Sequence, residues 1–330
     1  MRQVAQRPKS VAEPSRAAGR CCYMVLGGSA VDWAVAGVRA LVEECAEPAS
    51  LTLLSDGQAD CGRVEAMMSD VDGRSLSAWR VLGKEECDAL AADYYRQFPA
   101  IRGFREGHPC WRKITDPPLF AAPGEEMVIL DPDVYFPNRF TFEPTPERGL
   151  LLMWQRPHCL LPAECVRAAY GAPARLAHHT DIGVAQTRAP LPLDWLEWFL
   201  GRLGGCDVPR VMHVESIVWA ALAMRIGGGY LNPSKWICWH RSLLKRCLMR
   251  AGMTGPQLLR MERLQEAKCF HAGGVAKEWL VKAVERGWLK GTTDQTQPTP
   301  IVPFEELTPA RFEVREVAKR AFHRLTGAAL

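Results

Sequence analysis

Short segments that are apolar at nearly every position constrain this chain's fold more than any other feature. Tyr23-Met24-Val25-Leu26, Leu51 to Leu54 and Met127-Val128-Ile129-Leu130 are such segments. A strand with one solvated face alternates polar and apolar residues, whereas a continuous apolar run is covered on both faces. The first run ends at Gly27-Gly28, after which Ser29 can cap a helix carrying Val31, Val35, Val38, Leu41 and Val42 to about Cys45. The second closes on the turn signal Ser55-Asp56-Gly57. Trp79 to Leu82 reads as a further strand, followed by a helix from about Lys84 to Phe98, and Pro123-Gly124 introduces the Met127 run. Buried strands separated by helices predict an α/β fold with a central, mostly parallel sheet flanked by helices.

The second half is less regular. Gly149 to Trp154 reads as a strand, and Leu193 to Leu203 and Val214 to Ile226 as helices. The latter helix is apolar nearly all round, so it is expected to be buried. Gly291 to Pro303, rich in Thr, Gln and Pro, has the composition of a linker. It leads to a last helix from Pro309, with Thr308 as its N-cap. The expected organisation is a mobile basic tail over 1–20, a principal domain over 21–290, and a linker with an amphipathic helix over 291–330.

Composition excludes several classes. No apolar run approaches the roughly 20 residues that span a bilayer. The first twenty residues carry no apolar stretch of a secretory signal. The expectation is a cytoplasmic protein whose 12 cysteines, none in a C-x-x-C pair, are reduced. The net charge of +4 comes from dispersed Arg and Lys, which argues against nucleic acid and is compatible with an anionic small substrate. The last helix sets Phe312, Val314, Val317, Ala321 and Phe322 among Arg311, Arg315, Lys319, Arg320 and Arg324. That pattern suits either packing on its own domain or peripheral contact with the inner membrane face.

Two motifs carry chemistry. Asp131-Pro132-Asp133 follows an apolar strand directly, so two carboxylates at i and i+2 can converge on one hard cation, Mn²⁺ or Mg²⁺. The competing reading is an ordinary acidic turn. Far downstream, His271-Ala272-Gly273-Gly274-Val275-Ala276-Lys277 precedes a helix. Gly273 and Gly274 let backbone amides approach an anion, Lys277 adds a full charge, and His271 offers an imidazole nitrogen to a metal. Gly27, Gly28 and Ser29, with Asp56 at the end of the next strand, occupy the place where such sheets bind a nucleoside. A tight strand-to-helix turn explains them equally well.

Taken together, an apolar strand ending in Asp-x-Asp and a downstream His271, Gly274, Lys277 and Trp279 resemble glycosyltransferase family 8. This is a family of GT-A-fold nucleotide-diphospho-sugar transferases that includes glycogenin-like and galactosyltransferase-like enzymes. The resemblance runs from Cys21 to Trp279 and marks the chain as a divergent member. It implies that Asp131, Asp133 and His271 bind Mn²⁺ and that Lys277 contacts the diphosphate. It implies further that Lys113, beside Arg112, lies near the nucleotide. Asp181-Ile182-Gly183-Val184 resembles the family's Asn-x-Gly-Val strand beside the donor sugar, with Asp for Asn. Glu215-Ser216 stands where the family commonly has Asp-Gln, and Glu278 replaces its Pro. Asp181, Glu215 and Ser216 are thus the implied catalytic residues. The implied reaction moves a hexose from a UDP-sugar to a saccharide or other hydroxyl acceptor, with retention.

Other readings compete. His178 and His179, taken as neighbours on a strand, are expected to point to opposite faces, one of them into the cleft. Trp236, Trp239 and His240 form either an acceptor wall or a core cluster. A sugar-phosphate nucleotidyltransferase would carry basic residues after the first strand, where Ala30-Val31-Asp32 stands instead. An aspartate-nucleophile phosphatase would place its motif on the first strand. No G-x-x-x-x-G-K-[ST] occurs for a P-loop. A nucleotide-sugar-binding protein that has lost turnover remains open because of Ser216.

Overall fold

The computed structural model describes residues 19–71, 76–156 and 158–326. The expected basic tail therefore lies outside the described residues, apart from its last two positions. The strands are β1 (Arg20–Leu26), β2 (Ala49–Ser55), β3 (Leu76–Leu82), β4 (Glu126–Leu130), β5 (Val134–Tyr135), β6 (Arg139–Phe140) and β7 (Leu150–Trp154). They continue as β8 (Thr180–Arg188), β9 (Gly228–Tyr230), β10 (Trp236–Cys238), β11 (Cys269–His271), β12 (Asp294–Gln295) and β13 (Val302–Pro303). Helices α1 (Val31–Glu44), α2 (Cys61–Asp70), α3 (Lys84–Tyr94), α4 (Pro99–Gly107), α5 (Arg112–Thr115) and α6 (Pro117–Phe120) belong to the first half. The second half holds α7 (Ala163–Gly171), α8 (Leu193–Leu203), α9 (Val214–Ile226), α10 (Leu243–Arg250), α11 (Gly255–Leu259), α12 (Lys277–Glu285) and α13 (Pro309–Thr326).

Among the described residues the main sheet has eight strands in the order β13-β9-β7-β8-β4-β1-β2-β3. The run from β4 through β1 and β2 to β3 is parallel, as the apolar segments predict. By contrast, β8 runs antiparallel to both β4 and β7. The side chains of each buried strand alternate between two cores, which is why both faces had to be apolar. Tyr23, Met127 and Ile129 meet Phe104, Phe199 and Trp219 of α4, α8 and α9. Met24, Leu53, Val128 and Leu130 meet Val38 and Leu41 of α1 and Leu280 of α12. Helix α9 is buried along most of its length, as its composition requires.

Several local expectations are corrected. Ser29 caps nothing: it sits exposed within a 3₁₀ turn, Gly28–Ala30, and α1 begins without a side-chain cap. The helix expected to reach Phe98 stops at Tyr94, because Pro99 starts a new one. The stretch expected as a linker is partly built into sheets, with β12 pairing β6 and β13 pairing β9. Helix α13 packs on its own domain: Phe312 is buried against Tyr170 of α7, and Thr308 Oγ1 accepts from the Arg311 N–H as an N-cap should. No helix among the described residues is long and apolar enough to cross a membrane. The described cysteines are free thiols.

Trp236 belongs to the core, closing the choice between wall and core for that residue. Its ring packs with Phe140 and Phe142, and its Nε1 donates to Glu143 at 3.0 Å. Glu143 is fully buried and pairs at 2.9 Å with the equally buried Lys268, while its other contacts are the Thr299 N–H and hydroxyl.

Candidate active site

Backbone pairing brings distant residues to one point. At the end of β4, the Asp131 N–H donates to the Gly183 carbonyl of β8 at 2.9 Å. The chain then turns through Pro132 and Asp133 into β5, which pairs antiparallel with β11 so that Val134 lies opposite His271. The Ala272 N–H donates to the Asp133 carbonyl at 2.9 Å and locks this junction. Helix α1 presses on the same turn, since a Cβ at Gly37 would come 2.0 Å from the Val134 carbonyl oxygen. Two short strands thus carry His271 to the acidic turn from far downstream in the chain.

The ligand atoms of Asp131, Asp133 and His271 all lie within 4.8 Å of one another. His271 Nε2 is 3.2 Å from Asp133 Oδ1 and 3.6 Å from Asp131 Oδ2. On the opposite edge of the ring, Nδ1 is 2.7 Å from Asp181 Oδ2. A carboxylate on Nδ1 fixes the ring and leaves Nε2 as the donor for a cation. The Asp181 carboxylate is thus engaged behind His271 and positions the imidazole. Gly183 supplies the space. A Cβ there would lie 2.5 Å from the His271 ring, so the ring rests directly on bare β8 backbone. The glycine inside Asp-x-Gly-Val was the legible signal, because glycine within a strand often marks close approach. Gly183→Ala is expected to push the ring off Asp181 and weaken Mn²⁺ binding roughly 10–100-fold, the scale for losing an outer-shell partner. Calorimetric Mn²⁺ titration checks it; unchanged affinity removes Gly183 from the account.

The residues present fit a hard or borderline divalent cation. The alternative trio of Asp181, Cys238 and His271 is also close enough in space. However, burial and then Asp181 push the Cys238 thiol up to about 12, which keeps it protonated. Burial opposes charge on His271, but Asp181 and Asp133 outweigh it and raise the pKa well above the imidazole range. Asp133 goes down despite its burial, chiefly through His271.

Lys113 is engaged by protein groups as well. Its buried ammonium lies 2.5 Å from Asp131 Oδ1 and 3.1 Å from Glu215 Oε2, so it neutralises carboxylates. Burial disfavours that charge, and Asp131 and Glu215 restore it. Glu215, whose Oε1 accepts from Trp219 Nε1, stands at the first turn of α9 with its pKa raised by burial. Ser216 is buried beside Cys159, with Oγ and Sγ 3.1 Å apart. Glu215 therefore reaches the site through Lys113, and Ser216 contacts none of the three candidate ligands.

Lys277 begins α12 with its ammonium 4.7 Å from the Trp33 ring, half-buried, and it pairs with no carboxylate among the described residues. Its charge helps lower the Asp133 pKa. Gly273 lies against the His271 ring, and Gly274 has φ of +66°, a conformation that favours glycine. Gly27 and Gly28 touch Asp56 and Asp60: a Cβ on either would meet a carboxylate oxygen within 2.5 Å. Arg112 is buried, donating to Asp116 and to the Ser55 carbonyl and lying 3.5 Å from Asp56. Its Nη2 and Asp56 Oδ1 are buried without hydrogen bonds. The structure therefore brings Gly27, Gly28, Asp56 and Arg112 together at one end of the sheet. Ser29 is exposed beside them. His178 and His179 lie in a turn before β8, with ring centroids 3.9 Å apart. A turn does not alternate its side chains, so the expected opposite orientation fails.

No protein-family model matches the chain, and no curated protein is similar to it in sequence. Among solved structures it is similar to mouse xyloside xylosyltransferase 1, apo form, with TM-score 0.51 and 10% identity over 78% of this chain and 98% of that one. It is also similar to the galactosyltransferase LgtC in complex with donor and acceptor sugar analogues, with TM-score 0.43 and 14% identity over 81% and 92%. The likeness to the mouse structure, at 10% identity, is one of fold. The chain is built on the GT-A fold of glycosyltransferases, far diverged in sequence.

Proposed function

We propose that the chain is a metal-dependent glycosyltransferase that moves a hexose from a UDP-sugar to a hydroxyl acceptor. The observation that carries this reading is the convergence of Asp131, Asp133 and His271, with Asp181 behind the imidazole. Asp131 Oδ2, Asp133 Oδ1 and His271 Nε2 would hold Mn²⁺ or Mg²⁺. Such an ion supplies Lewis-acid neutralisation of the departing diphosphate. Lys277 at the start of α12 is free to swing from Trp33 onto a phosphate, where the helix N-terminus adds partial positive charge. Asp56 Oδ1 and Arg112 Nη2, buried without hydrogen bonds, offer partners to a nucleoside. Lys113, paired with both Asp131 and Glu215, holds Asp131 in place. The acceptor hydroxyl attacks the anomeric carbon; the family resemblance assigns retention.

A second reading, nucleotide-sugar binding without turnover, draws on Ser216 and on Lys113, which already occupies one oxygen of Asp131. Assays of UDP-sugar hydrolysis and transfer separate the two.

The test is calorimetric titration with UDP at several pH values, with Mn²⁺ or with chelator. UDP is expected to bind at least about 100-fold more weakly without metal, in keeping with the several kcal/mol a metal clamp supplies. The raised His271 pKa makes the proton compete with the metal, so Mn²⁺ affinity should rise with pH through and beyond the imidazole range. The metal-free protein should behave oppositely. A raised folded pKa contributes stability fully present below the unfolded value near 6.5 and lost as pH climbs through the folded one. UDP binding indifferent to metal and pH would overturn the reading.

A further inference from the structure

Outside the cation site, a cavity of about 780 Å³ opens between the end of β7 and α13. That volume lies within the range that holds small ligands. It adjoins the candidate site through one layer of side chains. His179 Nδ1 is 2.9 Å from the Gln155 carbonyl, Gln155 Oε1 is 3.4 Å from Cys238 Sγ, and Cys238 Sγ is 3.9 Å from His271 Nδ1.

The lining is strongly positive. Arg156, Arg311 and Arg315 all face the cavity. The nearby carboxylate, Glu305, is paired with Arg311. Arg315 has no carboxylate partner among the described residues; its Nη1 lies 2.6 Å from His178 Nε2. A guanidinium can only donate, so Nε2 accepts and the proton of the neutral ring sits on Nδ1. That Nδ1–H is buried and makes no hydrogen bond, the Glu305 carboxylate lying 4.0 Å away. Burial, His179 and the neighbouring arginines hold His178 neutral, its pKa down to about 4. Unpaired guanidinium, unused N–H and mutual repulsion among the arginines describe a place prepared for a negative charge.

The same lining also suits a sugar. His179 donates through Nδ1 to a backbone carbonyl and turns its Nε2 towards Glu305 Oε2 at 3.5 Å, so this polar edge offers hydroxyl partners. Trp154, half-buried and 4.7 Å from the His179 ring, presents an aromatic face. We infer that this cavity is the acceptor pocket and that it takes a saccharide bearing a carboxylate or a phosphate. The acceptor role rests on the glycosyltransferase reading; the anionic selectivity rests on the cavity alone. Ligand atoms of His178, His179 and Glu305 are also close enough for a cation. Arg315 on His178 and Arg311 on Glu305 weigh against that choice, since both would be repelled by a metal.

The inference is tested on the full chain by titrating glucose, glucuronate and glucose 6-phosphate without any donor. The two anions are expected to bind at least about tenfold more tightly than glucose, and whichever binds better identifies carboxylate or phosphate. One lost charge-assisted contact corresponds to about tenfold in affinity. Arg315→Gln should therefore lower anion binding at least tenfold, and Arg156→Gln, an exposed position, provides a second variant should the first fail to fold. Equal affinity for glucose, anion binding untouched in folded variants, or a metal bound by His178 and His179 would each overturn the proposal. Titration of the wild type with Mn²⁺ and UDP scores the donor reading separately. Failure there with anion selectivity intact sinks the transferase assignment, whereas the reverse result sinks only the anionic acceptor.

Discussion

Asp133→Asn is expected to lower metal-dependent kcat/KM for UDP-sugar turnover by about 10²–10³-fold, with little loss of fold. The substitution keeps the size of the side chain and removes its charge. Asp133 is the cleaner probe of the acidic pair, because Asp131 also carries Lys113 on its other oxygen. Asp131→Ala would strand a buried ammonium as well as deleting a ligand, and the two effects would be confounded. At Asp133 the deleted charge faces His271 at 3.2 Å, and His271 retains Asp181 as its second partner. The magnitude follows from asking one ligand to supply the roughly 3–4 kcal/mol typical of a single group aimed at developing charge. Initial rates across an Mn²⁺ titration read the effect. Wild-type rates in Asp133→Asn would remove the acidic turn from the chemistry.

The largest stability effect is expected far from that site, at Glu143. Its carboxylate is wholly buried and meets four groups: the Lys268 ammonium, the Trp236 indole N–H, and the Thr299 N–H and hydroxyl. Glu143→Ala leaves a buried ammonium with only the Thr141 carbonyl. Removing one partner of a buried pair typically costs about 3–5 kcal/mol. The cost should sit at the upper end, because three further donors, the Trp236 indole N–H and the Thr299 N–H and hydroxyl, lose their acceptor. The pair also ties the segment after β12 to the β6–β7 connection, so its loss should release that segment together with global stability. Urea unfolding measures the change. Asp32→Ala, which breaks an exposed pair with Arg63, serves as the control that should barely move. A Glu143→Ala midpoint near that control would show the pair to be dispensable.

The buried strands were legible because their requirement is local. A segment covered on both faces must be apolar at consecutive positions, and Tyr23–Leu26 and Met127–Leu130 declare that without reference to anything distant. The acidic turn was legible for the same reason, being a motif of three adjacent residues at a strand end. Helix α9 was recognisable as buried from its composition alone. Elements that depend on partners were not. Gly291 to Pro303 has loop composition, yet two of its dipeptides pair with β6 and β9. Short edge strands carry little periodicity, and what holds them is a neighbour supplied from elsewhere in the chain.

The same division runs through the site. Residue type together with the family resemblance nominated Asp131, Asp133, His271 and Lys277. Which atom of each is used was decided by packing. Asp181 lies 90 residues before His271, and only the register of β8 against β4 and of β11 against β5 sets its carboxylate on Nδ1. The fate of Lys113 was equally undecided in the sequence, where the resemblance puts it near the nucleotide and a solvated charge run is the alternative. The fold buries it between Asp131 and Glu215, and burial makes neutralising those charges its favourable role. The cationic cavity had no local signature, since Arg156, His178 and Arg315 come from three separated segments. The sequence by itself determined the buried strands of an α/β sheet and the chemical groups at an acidic strand end. Tertiary structure alone decided which of those groups face one another, because contact between residues far apart in the chain is a property of strand register and helix packing.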